Sequence, residues 1–407
     1  MVFSDKIKNT NTSKRLAVKL NAKGEQFVTK NHPWVFSNSI VKINDEATTG
    51  DLAIIFSKRK NKVIGLGLYD ANSPIRIKMM HFEAAEINAS FFLNKIEQAF
   101  QKRLPLLETN TNSYRLIFGE NDGFPGLIAD VYNYVLVVKL YSEIWLPYLE
   151  TVLNSLQKVS KAETIVMRLS RTLQQSKNHQ LKDGDVVFGT LENDVVAFVE
   201  HGVKFSANVI KGHKTGYFLD HRYNRKKVGE FSKNKTVLDV FSYAGGFSVH
   251  ALYNGAKEVT SLDISKQALE IAYENGKLNN YSGKHFTIAG DAFVELKKLI
   301  NNNKTFDVVV IDPPSFAKQQ TEIELAKKKY AQLAQLGAQL TAKNGLLVLA
   351  SCSSRVLAQS FFDINLQTLQ TQKRAFKNIL NTLHDVDHPV SFPEGAYLKC
   401  AYYRFKN

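Results

Sequence analysis

Cysteine is scarce in this 407-residue chain: only Cys352 and Cys400 occur. Two isolated cysteines supply neither a disulfide framework nor the spacing of a zinc site, so no metal is expected and a reducing, cytoplasmic setting is. Long apolar runs are missing too. None approaches the ~18 residues needed to cross a bilayer. The opening MVFSDKIKNTNTSKR has no apolar stretch of the kind a signal peptide requires. No basic amphipathic helix or lipidation signal offers a membrane anchor. The GxGxxG fingerprint is also lacking, which argues against a dinucleotide with its pyrophosphate. No internal repeat occurs, and no low-complexity linker is long enough to hold parts of the chain far apart.

Charge is present in excess of one sign. Lysine and arginine total 53 against 38 acidic residues, a net +15. The excess is uneven: residues 1–80 carry 14 basic and 6 acidic side chains, whereas residues 81–200 carry 11 and 15. Basic regions on both sides of an acidic middle suit contact with a polyanion. A solvated, lysine-rich surface is the plainer alternative.

The most informative stretch is VLDVFSYAGGFSVHAL, Val237 to Leu252. It reads as a buried strand, a turn containing Gly245-Gly246, and the start of a helix. In a parallel sheet such a unit aims backbone N–H groups and a helix N-terminus at a ligand. SLDIS follows, with Asp263 closing a second strand, where an acid is placed to bond a ribose hydroxyl. Asp291 closes FTIAGDAF, Asp312 begins the Asp312-Pro313-Pro314 end of FDVVVIDPPSF, and Cys352 ends NGLLVLASCSS. In an open α/β sheet ligands bind beyond the carboxyl ends of the strands. Asp239, Asp263, Asp291, Asp312 and Cys352 are therefore expected at one rim, around a nucleoside cofactor. Asp239 and Asp263 have a second reading as helix caps.

Four segments are expected along the chain: a loose tail over 1–13, a small β-barrel over 14–83, a central α+β domain with a following hairpin over 84–195, and an α/β sheet domain over 196–407. Within the barrel, HPWVFSNSI places Trp34 at a loop–strand junction. There it grips RNA or anchors the barrel's core. Lys214, His213 and His221 of GHKTGYFLDHR are candidates to line a cofactor or RNA channel, and Arg222 to bind a carboxylate or a phosphate. His384 and His388 lie four apart, but Pro389 follows and no further ligand is near, so they are not read as a metal site. Cys400 sits in LKCAYYRF and is expected in the core.

Nearly the whole chain resembles the ribosomal RNA large-subunit methyltransferase I family. HPWVFSNSI is similar to the signature of that family's N-terminal PUA domain, and NDGFPGLIADVY to its central domain. GHKTGYFLDHRYNR, FSYAGGFSVHAL, LDIS, GDAF, DPPSF, SCSS and HPVSFPEGAYLK resemble its catalytic motifs in the expected order. The resemblance implies a Rossmann-like class I methyltransferase domain behind a PUA-like barrel and a central α+β domain. The implied cofactor is S-adenosyl-L-methionine and the implied partner is large-subunit rRNA; a homodimer stays open. Phe218, Asp220 and the turn from Phe241 through Tyr243 to Gly245 and Gly246 would cradle the methionine part. Asp263 with Ile264 would bind the ribose side, Asp291 with Ala292 the adenine, and Asp312, Pro313 and Pro314 the target base.

The family's chemistry is methylation of cytosine at carbon 5. That carbon is a poor nucleophile until a thiolate adds to carbon 6. Cys352 is the candidate nucleophile, and Asp312 the group that bonds ring nitrogen 3. A free thiol has a pKa of about 8.5, and a basic RNA cleft is expected to lower it. DPPSF lacks the second cysteine that related RNA enzymes often carry beside this motif. The base that removes the carbon 5 proton is not identified by the sequence. Alternatives are methylation of guanine nitrogen 7, uracil carbon 5 or another RNA, and a non-catalytic RNA-binding assembly factor.

Overall fold

The computed structural model describes residues 2–8 and 13–406. They form two compact units. One comprises Met1–Val199, Ser206–Leu219 and Val386–Phe392; the other comprises Glu200–Phe205, Asp220–Asp385 and Pro393–Asn407.

The first unit holds two sheets. A six-stranded mixed sheet runs in the order Trp34–Phe36, Ile75–His81, Val63–Tyr69, Leu52–Phe56, Arg15–Leu20, Ile40–Ile43. A five-stranded sheet runs Val186–Phe188, Thr164–Leu169, Val135–Leu140, Leu127–Tyr132, Ser113–Phe118. One apolar cluster joins Leu52, Leu66, Leu68 and Met80 of the first sheet to Phe92, Ile96, Leu116, Phe124 and Trp145. That shared core is why the expected barrel and central domain pack as one body. The short runs of 14–83 also hide the helix Ala22–Thr29, started by the Asn21 side chain accepting the Gly24 N–H.

Two further segments join this unit against the expected boundary at 196. Tyr132 bonds Thr215 at 3.0 Å and the Tyr217 carbonyl at 3.1 Å. Asp387 accepts the Arg115 N–H at 2.9 Å, and its carbonyl accepts from Arg103 at 3.3 Å. The expected loose tail is corrected for residues 2–8. Ile7 is 2% exposed, Lys6 pairs with Asp185 at 2.9 Å, and the Phe3 ring lies 4.8 Å from that of Phe188. Residues 1 and 9–12 of that tail lie outside the described residues.

The second unit is built on seven strands: β1 (Thr236–Val240), β2 (Glu258–Asp263), β3 (Lys284–Ala289), β4 (Phe306–Ile311), β5 (Thr341–Ser351), β6 (Phe376–Thr382) and β7 (Lys399–Phe405). Their order is β3-β2-β1-β4-β5-β7-β6. Neighbours from β3 to β5 pair in parallel, while β7 runs antiparallel to both β5 and β6. Helices cross between the parallel strands, and both faces are covered. For this reason Val308–Ile311 of β4 and the second half of β5 read as unbroken apolar runs. Leu238, Val309, Leu347 and Tyr403 belong to one apolar cluster, and Val237, Val308, Val348 and Tyr402 to another. The chain leaves β1 toward β2 on one side and returns to β4 on the other. That reversal opens a crevice at the carboxyl ends of β1 and β4, where such sheets bind ligands.

Candidate active site

The turn after β1 holds two aromatic residues in left-handed backbone. Phe241, Tyr243 and Gly245 take φ of +63°, +47° and +76°. The left-handed region costs a non-glycine residue about 1–2 kcal/mol. Phe241 and Tyr243 are held there by bonds that over-determine the turn. The Ser242 N–H donates to the Leu262 carbonyl at 3.1 Å, the Gly245 N–H to the Ser242 carbonyl at 2.8 Å, and the Tyr243 N–H to Asp263 Oδ2 at 2.9 Å. A Cβ on Gly245 would stand 2.7 Å from that of Ala272. Strain of this kind, held by surrounding structure, is characteristic of ligand sites.

Asp263 ends β2, and its other oxygen accepts the Ser265 N–H at 2.9 Å. It is not the cap of the following helix Lys266–Lys277; Ser265 is, through its side chain to the Ala268 N–H. Ile264 beside it is 75% exposed. Asp291 does cap the helix Ala292–Asn301, accepting the Val294 N–H at 3.1 Å, and Ala292 is buried. Asp239 takes the capping role from inside β1. Its Oδ2 accepts the Ser248 N–H at 3.0 Å and the Ser248 hydroxyl at 2.7 Å. Burial, reinforced by the Asp312 and Asp263 charges, pushes its carboxyl up to about 7 despite those bonds.

Asp312 stands just past β4, its N–H on the Val240 carbonyl at 3.3 Å. His221 Nε2 approaches its carboxylate to 3.3 Å, without the alignment of a hydrogen bond. Burial works against an imidazolium here. Asp312, with Asp220, outweighs it and raises the His221 pKa. The Asp220 Oδ2 accepts the Tyr397 hydroxyl at 2.9 Å. Cys352 follows the end of β5, next to β4, and its Sγ lies 3.9 Å from the Pro313 carbonyl. The expected lowering of this thiol is not what the free protein has. Burial first, then Asp312 and Asp220, push it up to about 12. Carboxylates that flank the thiol oppose a second negative charge.

The structure thus gathers Asp220, Phe241, Tyr243, Gly245, Gly246, Asp263, Ile264, Asp291, Ala292, Asp312, Pro313, Pro314 and Cys352 in one unit, at strand ends, at helix starts or in the loops beside them. Trp34, Lys214 and Phe218 belong to the other. Trp34 Nε1 donates to Glu120 at 3.3 Å, and its ring packs against Phe392 at 5.1 Å, so it works as an anchor of its own unit. Lys214 and Phe218 are exposed. Arg222 is corrected as a phosphate ligand. It is 0% exposed and turned to Asp385 at 3.5 Å and Glu200 at 3.8 Å. His384 accepts the N–H groups of Tyr397 and Leu398, and His388 bonds Asp387. Cys400 is fully buried. Three partners escaped sequence reasoning: the His221–Asp312 contact, the Tyr397–Asp220 bond, and Lys399, buried in β7. The last two lie within HPVSFPEGAYLK, a motif whose members had no assigned role.

Residues 114–393 match the model of the S-adenosylmethionine-dependent methyltransferases, and residues 18–82 that of the PUA-like domain. A Deinococcus radiodurans protein named ribosomal RNA large subunit methyltransferase is 37% identical over 396 residues, covering 95% of this chain and 97% of its own. Ribosomal RNA large subunit methyltransferase I of Klebsiella pneumoniae strain 342 is 33% identical over 384 residues, covering 93% and 96%. This chain belongs to the ribosomal RNA large subunit methyltransferase I family. A Streptococcus mutans structure, proposed to be a SAM-dependent methyltransferase, superposes with TM-score 0.79 at 19% identity, covering 95% of this chain and 99% of that one. A second such structure, solved with SAH, also has TM-score 0.79, at 19% identity over 96% and 100%. Both share the fold.

Family membership makes S-adenosyl-L-methionine the cofactor, and the rim of the second unit fits it. The strained turn follows β1 at the crevice, and Ser242 Oγ is buried inside it with no partner among the described residues. Among the described residues no cluster of His, Cys, Asp and Glu could hold a metal. No described helix is long and apolar enough to cross a membrane.

Proposed function

We propose that this methyltransferase forms 5-methylcytosine in large-subunit ribosomal RNA, with Cys352 as nucleophile and Asp312 as its proton partner. The RNA class follows the names of the relatives from Deinococcus radiodurans and Klebsiella pneumoniae. The carrying observation is the placement of Cys352 beyond β5 beside the Asp312-Pro313 end of β4. A guanine nitrogen is already nucleophilic and needs no thiol at that point.

Phe241, Tyr243, Gly245 and Gly246 would hold the methionine part of the cofactor, Asp263 and Ile264 the ribose side, and Asp291 and Ala292 the adenine. When bound, the cofactor supplies an electrophilic methyl on a sulfonium. At rest Cys352 is a thiol, because burial and two carboxylates keep its proton on. Attack therefore needs a base, and the Asp312 carboxylate is beside it. As sulfur bonds ring carbon 6, the thiol proton passes to Asp312 and from there to ring nitrogen 3, and the carbon 5–carbon 6 pair is freed for carbon 5. His221, 3.3 Å from the Asp312 carboxylate, would help to position it for that transfer. Loss of the carbon 5 proton and expulsion of Cys352 would complete turnover.

The test uses methyl-labelled S-adenosyl-L-methionine with unmodified large-subunit rRNA, followed by digestion and mass spectrometry of the labelled nucleoside. Labelled 5-methylcytidine is expected from the wild type and none from Cys352→Ala, which still binds cofactor by calorimetry. Another labelled nucleoside, or undiminished labelling by Cys352→Ala, sinks the covalent chemistry.

A further inference from the structure

Lys399 is the one strong candidate left unused by this reaction. It opens β7, directly opposite Ser351 at the end of β5, and so faces the strand end that carries Cys352. It is 1% exposed. Its Nζ donates to the carbonyls of Ser353, Val356 at 2.6 Å and Tyr397 at 3.1 Å. Two of those three carbonyls belong to the loop that leaves Cys352. Among the described residues it forms no ion pair with a carboxylate, and against burial the group that favours its charge is the Cys352 sulfur once ionised. An ammonium held in a dry pocket without an anion is costly, and proteins ordinarily pair it.

We propose that the missing anion is the Cys352 thiolate itself: Lys399 is a positioning residue whose buried charge stabilises that thiolate and whose three bonds fix the loop following it. The inference rests on Cys352 being the nucleophile. Four groups face the thiol from separate elements. Asp312 at the end of β4 and Asp220 ahead of the helix Arg222–Phe231 keep the proton on, Lys399 of β7 draws it off, and Tyr330 of the helix Ile323–Leu340 bonds Ser351 at 2.9 Å. His221 offsets the Asp312 charge in turn. Lys399 is the only cation facing the thiol directly in that set. It keeps its own proton; the thiol's proton leaves to Asp312 in turnover and to solvent base in a chemical probe. Burial pulls the Lys399 pKa down to about 8, so its charge is present at neutral pH and is lost above that value.

The experiment is alkylation of Cys352 by iodoacetamide in the full-length protein, read by peptide mass spectrometry across about pH 6 to 10, since the thiolate is the reactive form. Wild-type reactivity is expected to rise with pH, flatten as Lys399 loses its proton near pH 8, and rise again. Lys399→Met is expected to react roughly tenfold more slowly at neutral pH, a shift of about one pKa unit, along an unbroken slope. Lys399→Arg keeps the charge past pH 8, so it should retain the wild-type rate and lose the flattening. Equal slowing of both variants with the flattening retained would mean a purely structural role and overturn the inference, as would an unchanged Lys399→Met. Should Lys399→Met unfold, Cys400 would become alkylated, and the Lys399→Arg profile decides alone: flattening that persists in it overturns the inference. Methylation by Cys352→Ala would remove the nucleophile and leave this coupling standing. A profile indifferent to Lys399 would remove the coupling and leave the nucleophile.

Discussion

Asp239→Asn tests the electrostatics of the β1 strand. The carboxyl is 0% exposed, one oxygen bonds Ser248 twice, and the other has no partner among the described residues. Folding raises its pKa from 3.8 to about 7, through burial above all. The folded state therefore binds the proton more tightly than the unfolded chain. Its contribution is fully present below the unfolded value and is lost as pH rises through the folded one. A shift of roughly three units corresponds to about 4 kcal/mol between about pH 4 and pH 7. Asparagine can accept both Ser248 bonds and does not titrate. It leaves an unsatisfied amide donor, an offset of about 1–3 kcal/mol that does not change with pH. The difference in stability between variant and wild type should thus move by up to about 4 kcal/mol in the variant's favour from pH 4 to pH 8. Both tryptophans, Trp34 and Trp145, lie in the first unit, so neither reports on the β1 strand directly. Urea unfolding followed by far-ultraviolet circular dichroism reads the transition. Parallel pH profiles for the two proteins would refute a protonated Asp239.

Two further substitutions probe the frame around the site. Gly245→Ala puts a Cβ 2.7 Å from that of Ala272 at φ +76°; a loss of about 2 kcal/mol or more is expected, with weaker cofactor binding by calorimetry, and unaltered binding would mean the turn is free to open. Glu200→Gln breaks a buried pair, since Glu200 holds Arg225 at 2.7 and 2.6 Å and His250 at 2.9 Å. Burial opposes its charge but Arg225 prevails and lowers its pKa, so its stabilisation is present above the unfolded value of 4.5 and fades as pH falls through the folded one. About 3–5 kcal/mol should be lost at neutral pH, with the deficit shrinking in acid; a deficit that does not vary with pH would show that the charge is not what Arg225 needs.

How far the chain could be read in advance depended on the range of the interactions. Val308–Ile311 of β4 and the second half of β5 are legible because burial on both faces leaves only apolar residues there, and each is followed by a polar residue that cannot continue inward. The glycines of the β1 turn are legible as a turn. Phe241 and Tyr243 are not, because neither residue type announces a left-handed backbone and the bonds that force it come from Leu262 and Asp263. The thiol's environment was read with the wrong sign. Asp312 and Asp220 stand out in the sequence, but only folding sets their charges against Cys352. Arg222 looks like a surface cation in the sequence, while Glu200 and Asp385, remote along the chain, bury it. The same holds for residues 386–392, claimed by Arg103, Arg115 and Phe118 of the first unit.

The position of β7 bears on how the enzyme comes off the ribosome. β6 is made before β7, yet the finished sheet has β7 inserted between β5 and β6. Until Lys399–Phe405 emerges, β5 has one unpaired edge, β6 has no neighbour in the sheet, and the ammonium beside Cys352 is absent. Insertion of a late strand between two earlier ones is non-local pairing, which forms slowly and leaves sticky edges open meanwhile. On the proposed chemistry, Cys352 gains its neighbouring ammonium only once β7 has paired with both β5 and β6.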